Sequence, residues 1–291
     1  MQLLANGLVS GCLYALVALG FALIYNTSRI FHLAHGAVYT AAAYLLYLFA
    51  VVLQLALPIA LLGSLVGTAL LGLLIEIWVY APLRKKNASL LVALLSSIGV
   101  YTVSVNLIAM VFGNETKVLR PGIEKTYEFG NVILTRIQLA QVLVFLILFP
   151  LMMWIIKSTT WGKQIRAVRD NLQLAEVMGI RLKRIYGSVF LVGSALAGSA
   201  AFLAAMDVGM DPHVGMPMLL TAAVTMIIGG VGTFGGAVLG AFLIAILQSL
   251  VIWQVSARWM DAVTFSLLIL FLVFRPEGLL GRRKRVEETV D

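Results

Sequence analysis

The sequence predicts an all-α fold, a polytopic integral membrane bundle of about eight or nine transmembrane helices, some of them short or re-entrant, in one domain over residues 1–291. Three observations predict it. Hydrophobic residues make up 61% of the chain and charged residues 12%, with a mean hydropathy of +1.01, which excludes an ordinary soluble domain. No Asp, Glu, Lys or Arg occurs in 1–28, 30–75, 87–114, 137–156, 185–206 or 212–257, and a helix needs about 20 apolar residues to cross the hydrocarbon. The runs also lack the period-two alternation of barrel strands, and lipid requires every backbone amide to be satisfied internally.

The first span is expected near 3–25. It has no basic n-region and no small-residue cleavage site after Leu3, so it reads as a span and not as a cleaved signal peptide. It contains the lone Cys12, so no intrachain disulfide is expected. Spans near 34–55 and 58–80 follow, the second carrying Gly63, Gly67 and Gly72 and ending beyond Glu76. Glu76 stands about two turns before the cluster Arg84–Lys85–Lys86 and reads as its structural partner before it reads as a proton site. The spans near 88–112 and 137–156 come next; Pro150 is expected to kink the latter.

Residues 158–184 interrupt this hydrocarbon with a polar, basic stretch, TTWGKQIRAVRDNLQLAEVMGIRLK between Ser158 and Arg184. Its pattern predicts a short amphipathic helix. Ile165, Val168, Leu172 and Ala175 recur at three- and four-residue spacing, with Arg166, Arg169, Asp170, Gln173 and Glu176 on the other face. Gly179 supplies the stop signal. A simple connection between two spans is shorter, so this loop points to a soluble partner.

A span near 185–206 follows, with Gly193, Ala197, Gly198 and Ala201 along it. The charge-free stretch from Pro212 to Ala257 holds two arms, near 215–229 and 236–253, turned by GGVGTFGG. They read equally as two crossings or as a re-entrant hairpin. Pro217 suits the first turn of its helix. The last span falls near 258–274, with Asp261 beside Trp259 as an interfacial anchor, and a basic tail covers 275–291.

Lys and Arg set the orientation. Arg29, Arg84 to Lys86, seven residues in 157–184 and five in the tail lie on one side, while Lys117, Arg120, Lys125, Arg136 and Arg258 lie on the other. The loop 157–184 and the C-terminus are therefore expected to be cytoplasmic, and 113–136 and Asp207–Met216 to face outward. The net charge of +8 then reflects topology, and nucleic-acid binding is not expected.

No G-x-x-x-x-G-K-[ST], no H-E-x-x-H and no zinc-spaced Cys/His cluster occurs. His32 and His35 lack a third ligand in the sequence nearby. The chain reads as non-catalytic, with no cofactor or metal of its own. Small residues are dense and predict close helix packing; Gly229, Gly230 and Gly232 are also candidates for lining a path. Neutral polar residues within spans, Asn6, Ser10, Ser96, Ser97, Asn106, Thr221 and Thr225 among them, suit the passage of a zwitterionic or uncharged solute.

GLVSGCLYALVALGFALIY followed by NTSRIFHLAHGAVYTAAAYLLY resembles the N-terminal signature of the permeases of branched-chain amino-acid ABC importers. Gly7, Leu8, Gly11, Tyr14, Ala15, Leu16, Ala18, Leu19 and Gly20 match the first span, and Phe31, Ala34, His35 and Gly36 match the F-AHG element. GKQIRAVRDNLQLAEVMGI is similar to the family's cytoplasmic segment through Gly162, Arg166, Ala167, Ala175, Met178, Gly179 and Ile180. Against the general E-A-A-x-x-x-G signature only Ala175 and Gly179 remain, since Gln173 and Leu174 depart from it. GGVGTFGGAVLGA and FRPEGLLG also resemble the family, so the likeness spans the chain.

The resemblance implies a single transmembrane permease domain in a bacterial cytoplasmic (inner) membrane. Its partners would be a second, paralogous permease subunit, two cytoplasmic ABC ATPases that bind the ATP, a periplasmic solute-binding protein and membrane lipid. The coupling loop would comprise Ile165, Arg166, Ala167, Val168, Leu172, Ala175, Met178, Gly179 and Ile180, laid in a groove of an ATPase. A helix resting on anionic lipid is the other reading of that loop. The implied solutes are leucine, isoleucine and valine; urea, short amides and other amino acids serve relatives with the same signatures. A stand-alone carrier or channel and a scaffold or receptor subunit remain readings of other classes.

Overall fold

A computed structural model describes residues 1–119 and 125–281. Arg120 and the tail's Arg282, Arg283, Lys284 and Arg285 lie outside the described residues. Among the described residues, eight helices are long and apolar enough to cross a membrane: α1 Gln2–Ser28, α2 Ala34–Val52, α3 Leu57–Lys85, α4 Leu90–Phe112, α5 Arg136–Ser158, α8 Leu182–Val208, α10 Phe234–Gln254 and α11 Ala257–Phe274. Three shorter helices complete the set, α6 Thr160–Asp170, α7 Leu172–Val177 and α9 Gly215–Gly229. The chain is thus an all-α membrane bundle.

Local chemistry sets the helix ends. Thr135 and Gln138 form a reciprocal capping box at the start of α5, satisfying two amides that the helix leaves unpaired. Ser89 caps α4 by accepting from the Val92 amide. Arg29 closes α1 in the left-handed region at φ 58°. Pro150 lies within the continuous helix α5, and Pro217 sits in the first turn of α9. The loop 113–136 contains a hairpin, β1 Thr126–Phe129 and β2 Val132–Thr135, paired antiparallel with Phe129 opposite Val132. Its turn is Gly130-Asn131, with Gly130 at φ 62°, a residue pair that tolerates the tight reversal.

Direction follows from contacts at the two ends. Gln2 exchanges hydrogen bonds with the backbone of Ile133, and Lys117 pairs with Met210, so the start of α1, the hairpin and the end of α8 share one end. At the basic end, the Arg29 guanidinium donates to the Arg169 carbonyl at 3.0 Å. The packing is reciprocal. α1 lies along α10 as α8 lies along α3, α9 packs on α1 as α2 packs on α8, and α2 meets α4 as α9 meets α11. α1 and α8 run in opposite directions through the centre, so α1–α4 and α8–α11 form two inverted units, with α5 to α7 inserted between them.

Two glycine crossings join the units. Gly20 of α1 meets Gly193 of α8, where a Cβ on Gly193 would stand 2.8 Å from the Gly20 carbonyl oxygen. Gly36 of α2 meets Gly215 of α9, where a Cβ on Gly36 would stand 2.8 Å from the Gly215 carbonyl oxygen. Lipid gives helices no hydrophobic drive to associate, and such close backbone approach supplies the van der Waals contact instead. α2 and α9 start at this second crossing and run toward opposite ends. The 15 residues of α9 extend about 22 Å, short of the roughly 30 Å hydrocarbon thickness. The stretch 212–257 is therefore neither two full crossings nor a hairpin that turns within the bundle: α9 is a short helix beginning inside it, and α10 is a full span.

Candidate functional site

The basic stretch begins where Thr159 caps α6, its hydroxyl accepting from the Gly162 amide at 3.1 Å. Gly162 is packed on the carbonyls of Ile155 and Ile156, leaving no room for a side chain, so α6 turns tightly against the end of α5. Ile165 and Val168 are buried in the main core, and the Trp161 indole donates to Ser188 of α8 at 2.7 Å. The single helix expected here is two helices. Asn171 leaves the helical region at φ −151° and its side chain accepts from the Leu174 amide at 2.9 Å, capping α7 and breaking the run.

That break corrects the predicted faces. Ala175 is buried as expected, but Leu172 is 44% exposed, and Leu174, Val177 and Met178, spaced i, i+3 and i+4, are exposed on another face. Ala167 and Ile180 are half-buried and pack against the core. Gly179 takes φ +81°, and the Ile180 amide then returns to the Ala175 carbonyl at 3.1 Å. Arg166, expected on the solvated face, turns inward to donate to the carbonyl of Ile156, one of the unpaired acceptors at the end of α5. Arg169 likewise turns inward, donating to the Gly232 carbonyl at 3.0 Å.

The Phe31, Ala34, His35, Gly36 element lies in the connection from α1 into α2. The Ala34 amide, unpaired at a helix start, donates to Ser97 of α4 at 2.9 Å. The Tyr80 hydroxyl of α3 donates to the same Ser97 oxygen at 2.8 Å and meets His32 Nδ1 at 2.7 Å. Phe31 sets its ring edge-on to Phe21 of α1 at 5.2 Å, and His35 is fully buried against Gly20. This polar chain holds the mid-bundle start of α2 in place. Nearby, Glu76 is buried and paired with Arg84, whose guanidinium lies 4.1 Å from the centre of the Tyr186 ring. The expected structural partnership of Glu76 is present.

A cavity of about 360 Å³ opens at the start of α9, lined by Tyr14, Asp211, His213, Pro217, Thr221, Gln248 and Asp261 among others. Tyr14 donates to Gln248 Oε1 at 2.9 Å, and Gln248 Nε2 donates to Thr264 at 2.8 Å. The cavity gathers two of the neutral polar residues that suit a path, Thr221 and Gln248. Thr225, one turn further along α9, is buried and bonded to the Ala222 carbonyl. Gly229 is packed on Gly236, and Gly230 on Gly278 and Gly281. Asn6 and Asn106 are exposed, Ser10 and Ser96 half-buried, and Ser97 belongs to the chain described above. Tyr14, Gln248, Asp211 and Asp261 carry no periodic signal in the sequence. Only the packing of α1, α9, α10 and α11 brings them together.

A multi-pass helical bundle of inverted units, with two helices starting at its middle, a cavity there and a basic appendage at one end, is the build of a membrane permease. The chain belongs to the family described as "Branched-chain amino acid transport system / permease component", whose sequence model matches residues 3–272. It is 31% identical to the high-affinity branched-chain amino acid transport system permease protein BraD of Pseudomonas aeruginosa, over 97% of this chain and 96% of that protein. It is 28% identical to the corresponding protein LivH of Escherichia coli K12, over 97% and 96%. Among solved structures, PsaBC from Streptococcus pneumoniae in complex with Fab shares the fold, with a TM-score of 0.55 at 14% identity, covering 95% of this chain and 93% of that one.

Proposed function

We propose that this chain is the permease subunit of a binding-protein-dependent ABC importer for branched-chain amino acids in a bacterial inner membrane. Family membership and full-length likeness to BraD and LivH support leucine, isoleucine and valine as solutes. The cavity at the start of α9 supports a path for a zwitterion, with apolar wall from Pro217 and Met218 and polar groups from Tyr14, Thr221 and Gln248. Charge placement supports a cytoplasmic C-terminus and a cytoplasmic 157–184.

The observation that carries the reading is the open apolar face of Leu174, Val177 and Met178 on an appendage braced against α5 and α8. A lipid-facing helix would be continuous and amphipathic; this one is broken at Asn171 into a rigid elbow, which suits a helix-in-groove contact with a soluble ATPase. In this reading the chain itself is non-catalytic and binds no cofactor. It works with two ATPases, a second permease subunit and a periplasmic binding protein.

Reconstitution tests the proposal. Proteoliposomes holding this chain with its candidate permease partner and ATPases, supplied with the binding protein, should accumulate labelled leucine only with ATP inside the compartment that holds the ATPases. Accumulation by this chain alone without ATP would replace the proposal with a stand-alone carrier.

A further inference from the structure

We infer that Arg169 is the residue that passes motion of the 157–184 appendage to α9, the helix that lines the cavity; this rests on the reading of that appendage as the ATPase-docking element. α6 is covalently attached to α5 and, through α7, to α8. α9 belongs to a different part of the chain. The turn from α9 into α10 is Gly230–Thr233, with Gly232 at φ +94°.

Both backbone groups of Gly232 are held from outside the turn. Its amide donates to Asn26 Oδ1 of α1 at 3.1 Å, and its carbonyl accepts from Arg169 Nη1 at 3.0 Å. The Arg169 carbonyl in turn accepts from Arg29 at 3.0 Å, a cation placed at the negative end of α6. Asn26 and Arg29 sit one turn apart at the end of α1, so the three bonds close a ring through α1, α6 and the α9–α10 turn. Asn26 is fully buried and Arg169 is also paired with Asp170 at 2.8 Å, which fixes the guanidinium in the direction of the turn.

Geometry makes this ring a linkage and not only a clamp. One end of α9 is the Gly232 turn and the other lines the cavity through Pro217 and Thr221. A displacement of α6 therefore reaches the cavity wall along one helix, through a charge-assisted hydrogen bond of the stronger class. Arg169 acts through Gly232 and touches no solute; it is a positioning residue.

The test uses the full importer in proteoliposomes and this chain alone in detergent. In the importer, Arg169→Ala should lower leucine moved per ATP hydrolysed by about tenfold while the ATPases stay bound and active, and Arg169→Lys should restore most of the ratio. In the chain alone, with Cys12→Ala, spin labels at Lys163→Cys and Val231→Cys should give a distance distribution that broadens in Arg169→Ala and narrows again in Arg169→Lys. An unchanged distribution in Arg169→Ala overturns the linkage. A broadened distribution with an unchanged transport ratio overturns its part in coupling. Retention of the ATPases after Leu174→Asp with Val177→Asp overturns the docking reading instead, and the label distances remain a separate measure of the ring.

Discussion

The backbones of Gly36 and Gly215 touch at the point where α2 and α9 begin, and neither residue can carry a side chain without displacing the carbonyl of the other. This contact joins the two inverted units and sets where both helices start.

Gly36→Ala should therefore destabilise the fold by roughly 1–3 kcal/mol, the usual cost of overpacking, and Gly36→Val by more. Thermal unfolding of purified protein in detergent measures it: both midpoints fall, in that order. Gly99, which faces open space, is the control, and Gly99→Ala should leave the midpoint nearly unchanged.

Ser97 accepts from both the Ala34 amide and the Tyr80 hydroxyl. Ser97→Ala leaves the buried Ala34 amide unpaired, at a cost of about 1–3 kcal/mol, while the Tyr80 hydroxyl keeps His32 Nδ1 as a partner. Ser97→Thr keeps the oxygen and should recover much of the loss. Hydrogen exchange at Ala34 reads the same event locally, as faster exchange in the alanine variant.

Glu76 is buried with Arg84 as its partner. Glu76→Gln strands part of a charge pair whose arginine also faces Tyr186, and breaking a buried pair costs roughly 3–5 kcal/mol. Arg84 is about a quarter exposed, which draws the expected loss to the low end. Adding Arg84→Met removes the stranded charge, so the double variant should be more stable than Glu76→Gln in the same melting assay.

Tyr14 and Gln248 meet at the cavity. Tyr14→Phe frees the Gln248 oxygen without changing the ring, and should lower the initial rate of leucine uptake by about three- to tenfold with assembly intact. Equal rates for wild type and variant would remove Tyr14 from the path.

Span positions were legible in the sequence largely because charge ends most apolar runs: Arg29, the Arg84–Lys86 cluster, Arg136 and Lys157 all fall at or beside helix ends in the structure. The 157–184 appendage was legible as polar and helical, but its break was not. Asn171 fits a helix interior and a helix cap alike, and only the cap geometry decides between them. Arg166 and Arg169 look solvated in a helical pattern; both face carbonyl groups of other elements, the end of α5 for Arg166 and the distant α9–α10 turn for Arg169. The family signature marked Phe31 to Gly36 without giving its use, since the partner of Gly36 is 179 positions away. Periodicity reports one face of one element, and the cavity is made from four.

The late start of α9 also bears on hydration. Asp211 and His213 lead into its first turn and line the cavity beside Tyr14, Thr221 and Gln248, so groups able to replace a dipolar solute's water shell are gathered at one end of one helix, where the cost of stripping that shell is offset by protein partners.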